Sequence, residues 1–174
     1  MKKVTIFSDG GCEGNPGPGG WAAILKSGER SREITGADPA TTNNRMELQA
    51  AISSLSALKE PCEVEFHTDS EYLRNGISEW IAQWKAKGWR TTARRPVQNE
   101  DLWRELDSVA STHRIKWCWV KGHSGHEMNE RCDALAGEQI AKIKRELSPD
   151  QLRQKLDAFK AARENGDGSQ QLLF

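Results

Sequence analysis

Residues 41–58, Thr-Thr-Asn-Asn-Arg-Met-Glu-Leu-Gln-Ala-Ala-Ile-Ser-Ser-Leu-Ser-Ala-Leu, are where the chain changes period. From Asn43, the residues Met46, Leu48, Ala51, Ile52, Leu55 and Leu58 recur at helical spacing after an Asn/Thr start signal, and Pro61 closes the stretch. Upstream the pattern is that of strands. Val4 and Ile6 alternate with Thr5 in a strand over 2–8. Residues 10–20, rich in Gly and Pro, read as a loop, and Trp21–Leu25 reads as a second strand. Gly28 marks a turn into a third strand over about 30–35, which makes an antiparallel meander. Downstream, Val64 and Phe66 alternate with Glu63, Glu65 and His67 in a fourth strand. Short helices over 70–75 and 77–87 follow, then a helix carrying Leu102, Leu106 and Val109. A fifth strand over 115–120, a loop over 122–126 and a helix from Asn129 to about Arg145 complete the pattern. A meander followed by alternating strands and helices predicts an α/β domain with a mixed sheet.

The chain has 174 residues, enough for one domain or one domain with an appendage. Its 25 Lys and Arg balance 25 Asp and Glu, so any nucleic-acid contact must come from a local patch and not from overall charge. No apolar run approaches the ~18 residues of a transmembrane helix, and the N-terminus turns polar too soon for a signal peptide. A soluble cytoplasmic protein is expected. Cys12, Cys62, Cys118 and Cys132 form no C-x-x-C pair and are expected as free thiols. After residue 145 the character changes. Ser148-Pro149-Asp150-Gln151 is a helix start, and Leu152, Leu156 and Phe159 form one apolar stripe. Asn165-Gly166 predicts the stop. The division expected is a domain over 1–145 and an extension over 146–174, with a helix at about 149–164 and then a flexible tail with an apolar end.

Asp9 and Asp69 directly follow strands, Glu47 lies in the first turns of one helix, and Asp133 lies early in another. In α/β sheets chemistry gathers beyond strand ends and at adjacent helix starts. Four converging carboxylates would raise each other's pKa values, and divalent cations would cancel their charge. Oxygen-rich sites select hard ions such as Mg²⁺ or Mn²⁺, and two such ions about 4 Å apart suit phosphodiester cleavage. Spacing alone does not pick these four from 25 acidic residues, and each taken singly reads as a solvated turn or cap residue.

Four segments carry a resemblance. They are Asp9-Gly10-Gly11-Cys12-Glu13-Gly14-Asn15-Pro16-Gly17-Pro18-Gly19-Gly20, the segment from Thr41 to Leu48, Thr68-Asp69-Ser70, and Lys121-Gly122-His123 followed by Asn129-Glu130-Arg131-Cys132-Asp133. In order and in spacing, over about residues 2–140, they resemble the bacterial ribonuclease HI (type 1 RNase H) family. The resemblance implies a ribonuclease H-like fold, with a five-stranded mixed sheet flanked by helices on both faces. It implies endonucleolytic cleavage of the RNA strand of RNA–DNA hybrids, leaving 3′-hydroxyl and 5′-phosphate ends, as in primer and R-loop removal. It makes Asp9, Glu47, Asp69 and Asp133 the ligands of two Mg²⁺ ions, which Mn²⁺ could replace. Asp9 would bridge the ions, Glu47 would orient the attacking water, and His123 would relay a proton.

By the same resemblance Cys12, Asn15, Asn43, Asn44 and Glu71 lie along the RNA strand, and Asn15, Thr42 and Asn99 form a pocket for a DNA phosphate. Two positions depart from some relatives: Glu71 stands where they carry Gln, and Ala40 where they carry Arg. Residues 80–95 hold Trp80, Trp84, Trp89, Lys85, Lys87, Arg90, Arg94 and Arg95 with no acidic residue. The segment resembles the family's basic protrusion, which grips the DNA strand through phosphates and sugars or bases. Of these, Trp80, Trp84, Lys85, Lys87 and Arg90 are the candidate contacts, with one of the three tryptophans expected in the core.

Other patterns are weaker. Cys118, His123, His126 and Cys132 could close a tetrahedral zinc site, but their spacings fit no common module. Gly17, Gly19 and Ala22 match a dinucleotide-binding pattern, yet strand-like residues follow where that fold needs a helix. The tail Gln170-Gln171-Leu172-Leu173-Phe174 resembles the peptide by which bacterial replication proteins dock on the sliding clamp, with Gln170, Leu173 and Phe174 as anchors. A monomer is expected, with no membrane partner. Two rival functions are a hybrid-binding module, which would lack one of the four carboxylates, and a DNA-cutting integrase or resolvase, which would lack the 41–48 segment and the basic protrusion.

Overall fold

The computed structural model describes residues 1–91, 93, 95–121 and 126–171, with side chains up to Glu164. His123 and its loop neighbours, Arg94, and Leu172 to Phe174 lie outside the described residues. Strands β1 (Lys2–Cys12), β2 (Gly17–Ser27), β3 (Arg30–Thr41), β4 (Cys62–Thr68) and β5 (Arg114–Trp119) form one sheet in the order β3-β2-β1-β4-β5. The pairs β1–β2 and β2–β3 are antiparallel, and β1–β4 and β4–β5 are parallel. This is the mixed sheet expected.

Period-two alternation sorts the sheet's faces. Val4, Ile6, Val64 and Phe66 meet Leu48, Ala51, Ile52 and Leu55 of α1 (Asn43–Ser56) in the main core, to which α4 (Glu100–Ala110) adds Leu102, Trp103 and Leu106. On the opposite face Ala22 and Ile24 pack against Cys132, Leu135 and Ala136 of α5 (Glu127–Glu146), which lies over β1, β2 and β3. Between β4 and α4 the chain forms α2 (Glu71–Asn75), one π-helical turn (Gly76–Trp80) and α3 (Ile81–Ala86). The two short helices expected are thus a single winding stretch, with the wide turn where Gly76 packs on the Trp103 ring. Helix starts are capped as the sequence implies. Thr42 Oγ1 accepts from Arg45 N (3.2 Å) and Ser70 Oγ from Leu73 N (3.1 Å). Ser148 and Gln151 bond reciprocally as a capping box (3.1 and 2.8 Å).

Two expectations need correction. Residues 10–20 are not a loop: β1 runs to Cys12 and β2 starts at Gly17, leaving only 13–16 as the connection. The glycines serve close packing between elements. A Cβ on Gly10 would lie 2.5 Å from the Met46 carbonyl carbon and 2.6 Å from Glu47 N, and one on Gly19 would strike Thr41 and Met46. The last helix, α6, spans Pro149–Gln171 and passes through Asn165-Gly166 without the expected stop. Glycine within a helix costs about 1 kcal/mol, a penalty that does not by itself end it. Leu152, Leu156, Phe159 and Arg163 form its half-buried stripe, and α6 packs on β3.

Candidate active site

The site is assembled where β1 and β4 part, with Asp9 inside β1, three positions before its last residue, and not just beyond the strand's end as expected. Asp9 is buried in β1, and Asp69 follows β4 directly. Because Gly10 has no side chain, α1 crosses close to β1, and this close approach brings Glu47 to Asp9. A carboxylate oxygen from each of Asp9, Glu47 and Asp69 lies within 4.8 Å of the other two. Asp9 pairs with Ala22, on the face covered by α5, and there it shares a hydrogen bond with the side chain of Asp133. Asp133 itself is exposed and stands just outside the tight trio.

The charge of neighbouring acids this close opposes ionisation of the two buried ones, Asp9 and Glu47. Burial above all, then the charge of Asp69 and the contact with Asp133, pushes the Asp9 carboxyl up to about 8. Burial, followed by the charges of Asp9 and Asp69, holds Glu47 well above the ordinary range. At Asp9 the Gly10 N–H, donating to Oδ1 (3.0 Å), partly offsets this. Glu47 Oε2 is buried with no hydrogen-bond partner among the described residues. An oxygen-only donor set with an orphaned buried oxygen fits a hard divalent cation.

The remaining candidates lie on elements that carry the cluster or adjoin it. The Cys12 thiol donates to the Gly17 and Thr41 carbonyls (3.3 Å each), which ties β1, β2 and β3 together. Asn15 Oδ1 accepts from Asn43 N (3.0 Å), joining the 13–16 connection to the start of α1, where Asn43 and Asn44 are exposed. Glu71 is exposed at the first position of α2, and Ala40 is buried in β3. Asn99 has a left-handed backbone (φ 59°); its Oδ1 accepts from Arg45 Nη1 (3.2 Å), and its Nδ2 donates to the Tyr72 hydroxyl (3.0 Å).

In the basic segment Trp89 is buried, as one of the three was expected to be. Trp80 and Trp84 are half-buried in a ring cluster with Tyr72 and Trp103, at centroid spacings of 5.2–6.5 Å. Lys85, Lys87 and Arg90 are all exposed, and Lys85 pairs with Asp107 (3.1 Å).

Sequence reasoning did not single out Arg45, Tyr72 or Trp103. Arg45 makes a two-pronged pair with Asp101 (3.0 and 2.9 Å), and the Tyr72 hydroxyl accepts from both Asn99 and Trp103 Nε1 (3.0 Å). Together they hold the Asn99 side chain. Arg45 sits inside the 41–48 segment, but nothing in its spacing points to Asp101, 56 positions away. A groove of about 460 Å³ beside Asn99 is bounded on its far side by Phe159, Ala162 and Arg163 of α6.

Comparison with known proteins agrees with this architecture. A family model described as RNase H matches residues 1–141. Ribonuclease HI of Caulobacter vibrioides is 60% identical over 138 residues, covering 79% of this chain and 93% of that protein. Ribonuclease H of Herminiimonas arsenicoxydans is 57% identical over 143 residues, covering 82% and 98%. Among solved structures, LC9-RNase H1, described as a type 1 RNase H with the type 2 active-site motif, superposes with a TM-score of 0.74 at 30% identity, covering 82% of this chain and 74% of that one.

Proposed function

The chain belongs to the ribonuclease H family, and on that premise we propose that it is an endonuclease hydrolysing the RNA strand of RNA–DNA hybrids and leaving 3′-hydroxyl and 5′-phosphate ends. The observation that carries this reading is the buried trio of Asp9, Glu47 and Asp69, with the orphaned Glu47 oxygen inside it and Asp133 bonded to Asp9. These four residues would hold two Mg²⁺ ions, or Mn²⁺ in their place. When bound, the ions supply an activated water and charge stabilisation at the leaving oxygen. Asp9, central to the cluster, would be a ligand to both ions. Glu47 would orient water through the oxygen that has no hydrogen-bond partner among the described residues, and His123 would hold or pass a proton at its imidazole.

On the substrate side, Cys12, Asn15, Asn43, Asn44 and Glu71 face the RNA strand, where 2′-hydroxyls distinguish RNA from DNA. Asn15, Thr42 and Asn99 receive a DNA phosphate. Trp80, Trp84, Lys85, Lys87 and Arg90 hold the DNA strand further along. The catalytic unit is residues 1–145, acting as a cytoplasmic monomer on primers and R-loops. Residues 170–174 offer Gln170, Leu173 and Phe174 to a sliding clamp, which would raise the enzyme's concentration at hybrids. Among the described residues no helix is long and apolar enough to cross a membrane.

The test is incubation of the protein with Mg²⁺ and end-labelled RNA–DNA hybrid, duplex DNA and duplex RNA. Internal cleavage of the RNA strand of the hybrid alone is expected. Binding without cleavage, or cleavage of duplex DNA, would replace this reading with one of its rivals.

A further inference from the structure

A second group of ligating side chains, sharing no residue with the carboxylate site, whose Asp69 comes two positions after His67, lies on the sheet face that α5 shares. Parallel pairing of β4 with β5 sets His67 directly beside Cys118, and period-two alternation puts Glu65 on the same face as His67. A Glu65 oxygen, a His67 nitrogen and Cys118 Sγ all lie within 4.8 Å of one another. The imidazole is held in place: Phe7 stacks on it at 4.8 Å, and Glu65 Oε1 lies 2.8 Å from Nε2.

The donor chemistry differs from that of the Asp9 cluster. One thiolate, one imidazole and one carboxylate form a borderline-soft set, suited to zinc and not to Mg²⁺. We propose that Glu65, His67 and Cys118 bind a single Zn²⁺ ion in tetrahedral geometry, with water in the fourth position. The edges of a zinc tetrahedron built from N, O and S donors are about 3.3–3.7 Å, so closure needs side-chain movements of about 1 Å. Glu65, with half of its side chain exposed, is free to make its share. Water completes the set because the His126 ring is 6.5 Å from the His67 ring, beyond the roughly 5 Å at which two imidazoles share one zinc. The other thiol on this side, Cys132, is buried on the inner face of α5 and donates to the Phe7 carbonyl (3.5 Å), so among the described residues it is not grouped with Cys118; His123 of the cysteine–histidine set considered from sequence lies outside the described residues. A metal here would cross-link β4 to β5 two positions before Asp69.

Co²⁺ is the spectroscopic probe. Titrating metal-free full-length protein with Co²⁺ should raise a thiolate-to-cobalt charge-transfer band and tetrahedral d–d bands that saturate at one equivalent and vanish on adding Zn²⁺. Cys118→Ser should abolish the charge-transfer band. His67→Gln should weaken binding by more than about tenfold, since even outer-sphere losses cost that much. If that variant fails to fold, Glu65→Gln, at the exposed end of the set, carries the same expectation. Asp9→Asn should leave the bands unchanged, which separates this site from the carboxylate cluster. Absence of a thiolate band, its survival in Cys118→Ser, or its loss in Asp9→Asn would overturn the proposal.

Discussion

Asp9→Asn should stabilise the metal-free protein while it destroys activity. Burial and the neighbouring acids push Asp9 up to about 8, against an ordinary value of 3.8. A folded-state value raised in this way means that the native protein binds a proton the unfolded chain has released. The stabilising contribution is therefore complete below about pH 4 and is lost steadily as the pH rises to about 8. At pH 7 roughly three units separate the ordinary value from the solution, and at 1.36 kcal/mol per unit the ceiling on the penalty is about 4 kcal/mol. Replacing the carboxyl with an amide of the same shape removes that penalty. Water entry and side-chain relaxation reduce it, but even about 1 kcal/mol shifts the melting midpoint of a chain this size by roughly 2–4 °C. The assay is thermal unfolding in EDTA from pH 5 to pH 8. The variant should melt above the wild type by a margin that widens with pH. Adding Mg²⁺ should raise the wild-type midpoint more than the variant's, and hybrid cleavage by the variant should fall by several orders of magnitude. A variant less stable than wild type in EDTA at pH 8, or one equally stabilised by Mg²⁺, would refute the argument that the acids repel in the apo state and are relieved by cations.

Four further outcomes are expected. Neutralising Lys85, Lys87 and Arg90 together should weaken hybrid binding and flatten its salt dependence, read from affinities across a salt series. Because Lys85 is engaged with Asp107, the slope should drop by nearer two contacts' worth than three, at about 0.9 each. Gly10→Ala drives a methyl group into the α1 backbone at Met46 and Glu47, so denaturant unfolding should show a loss of about 2–3 kcal/mol, with a parallel loss of activity as Glu47 is displaced. Deleting residues 146–174 removes the half-buried stripe of Leu152, Leu156 and Phe159 from β3, and calorimetry should find the midpoint at least about 2 °C lower. Isothermal titration against the sliding clamp of the same organism should show modest binding by the intact protein and none by a Leu173→Ala/Phe174→Ala variant, with cleavage of short hybrids unchanged.

The strand and helix periods were legible because each element keeps one apolar face. Val4 and Ile6 are two apart and both buried, and Leu48, Ile52 and Leu55 are spaced by helical turns and meet them. The mixed sheet followed from the change of period at Asn43. What spacing could not reveal were contacts set by tertiary closure. Arg45 and Asp101 belong to different helices, and Tyr72 becomes a shared acceptor only once α4 brings Asn99 and Trp103 to it. Likewise the trio of Asp9, Glu47 and Asp69 draws on β1, α1 and the end of β4, and no local pattern joins three such elements.

The misreading of residues 10–20 bears directly on how the site is built. Glycine and proline together ordinarily mark a loop, because glycine tolerates conformations other residues avoid. Here Gly10, Gly19 and Gly20 lie in extended strands and are needed for a different property, the absence of a side chain. Gly10 admits α1 from one face, while Gly20 admits α5 at Ala136 from the other. Glu47 and Asp133 ride on those two helices. The distance between carboxylates is therefore set by how closely the helices can approach the sheet, and any Cβ at Gly10 would push Glu47 away from Asp9. A sequence that places small residues where helices cross and acids one or two positions away encodes the spacing of a charged site through steric room, before any metal or substrate arrives.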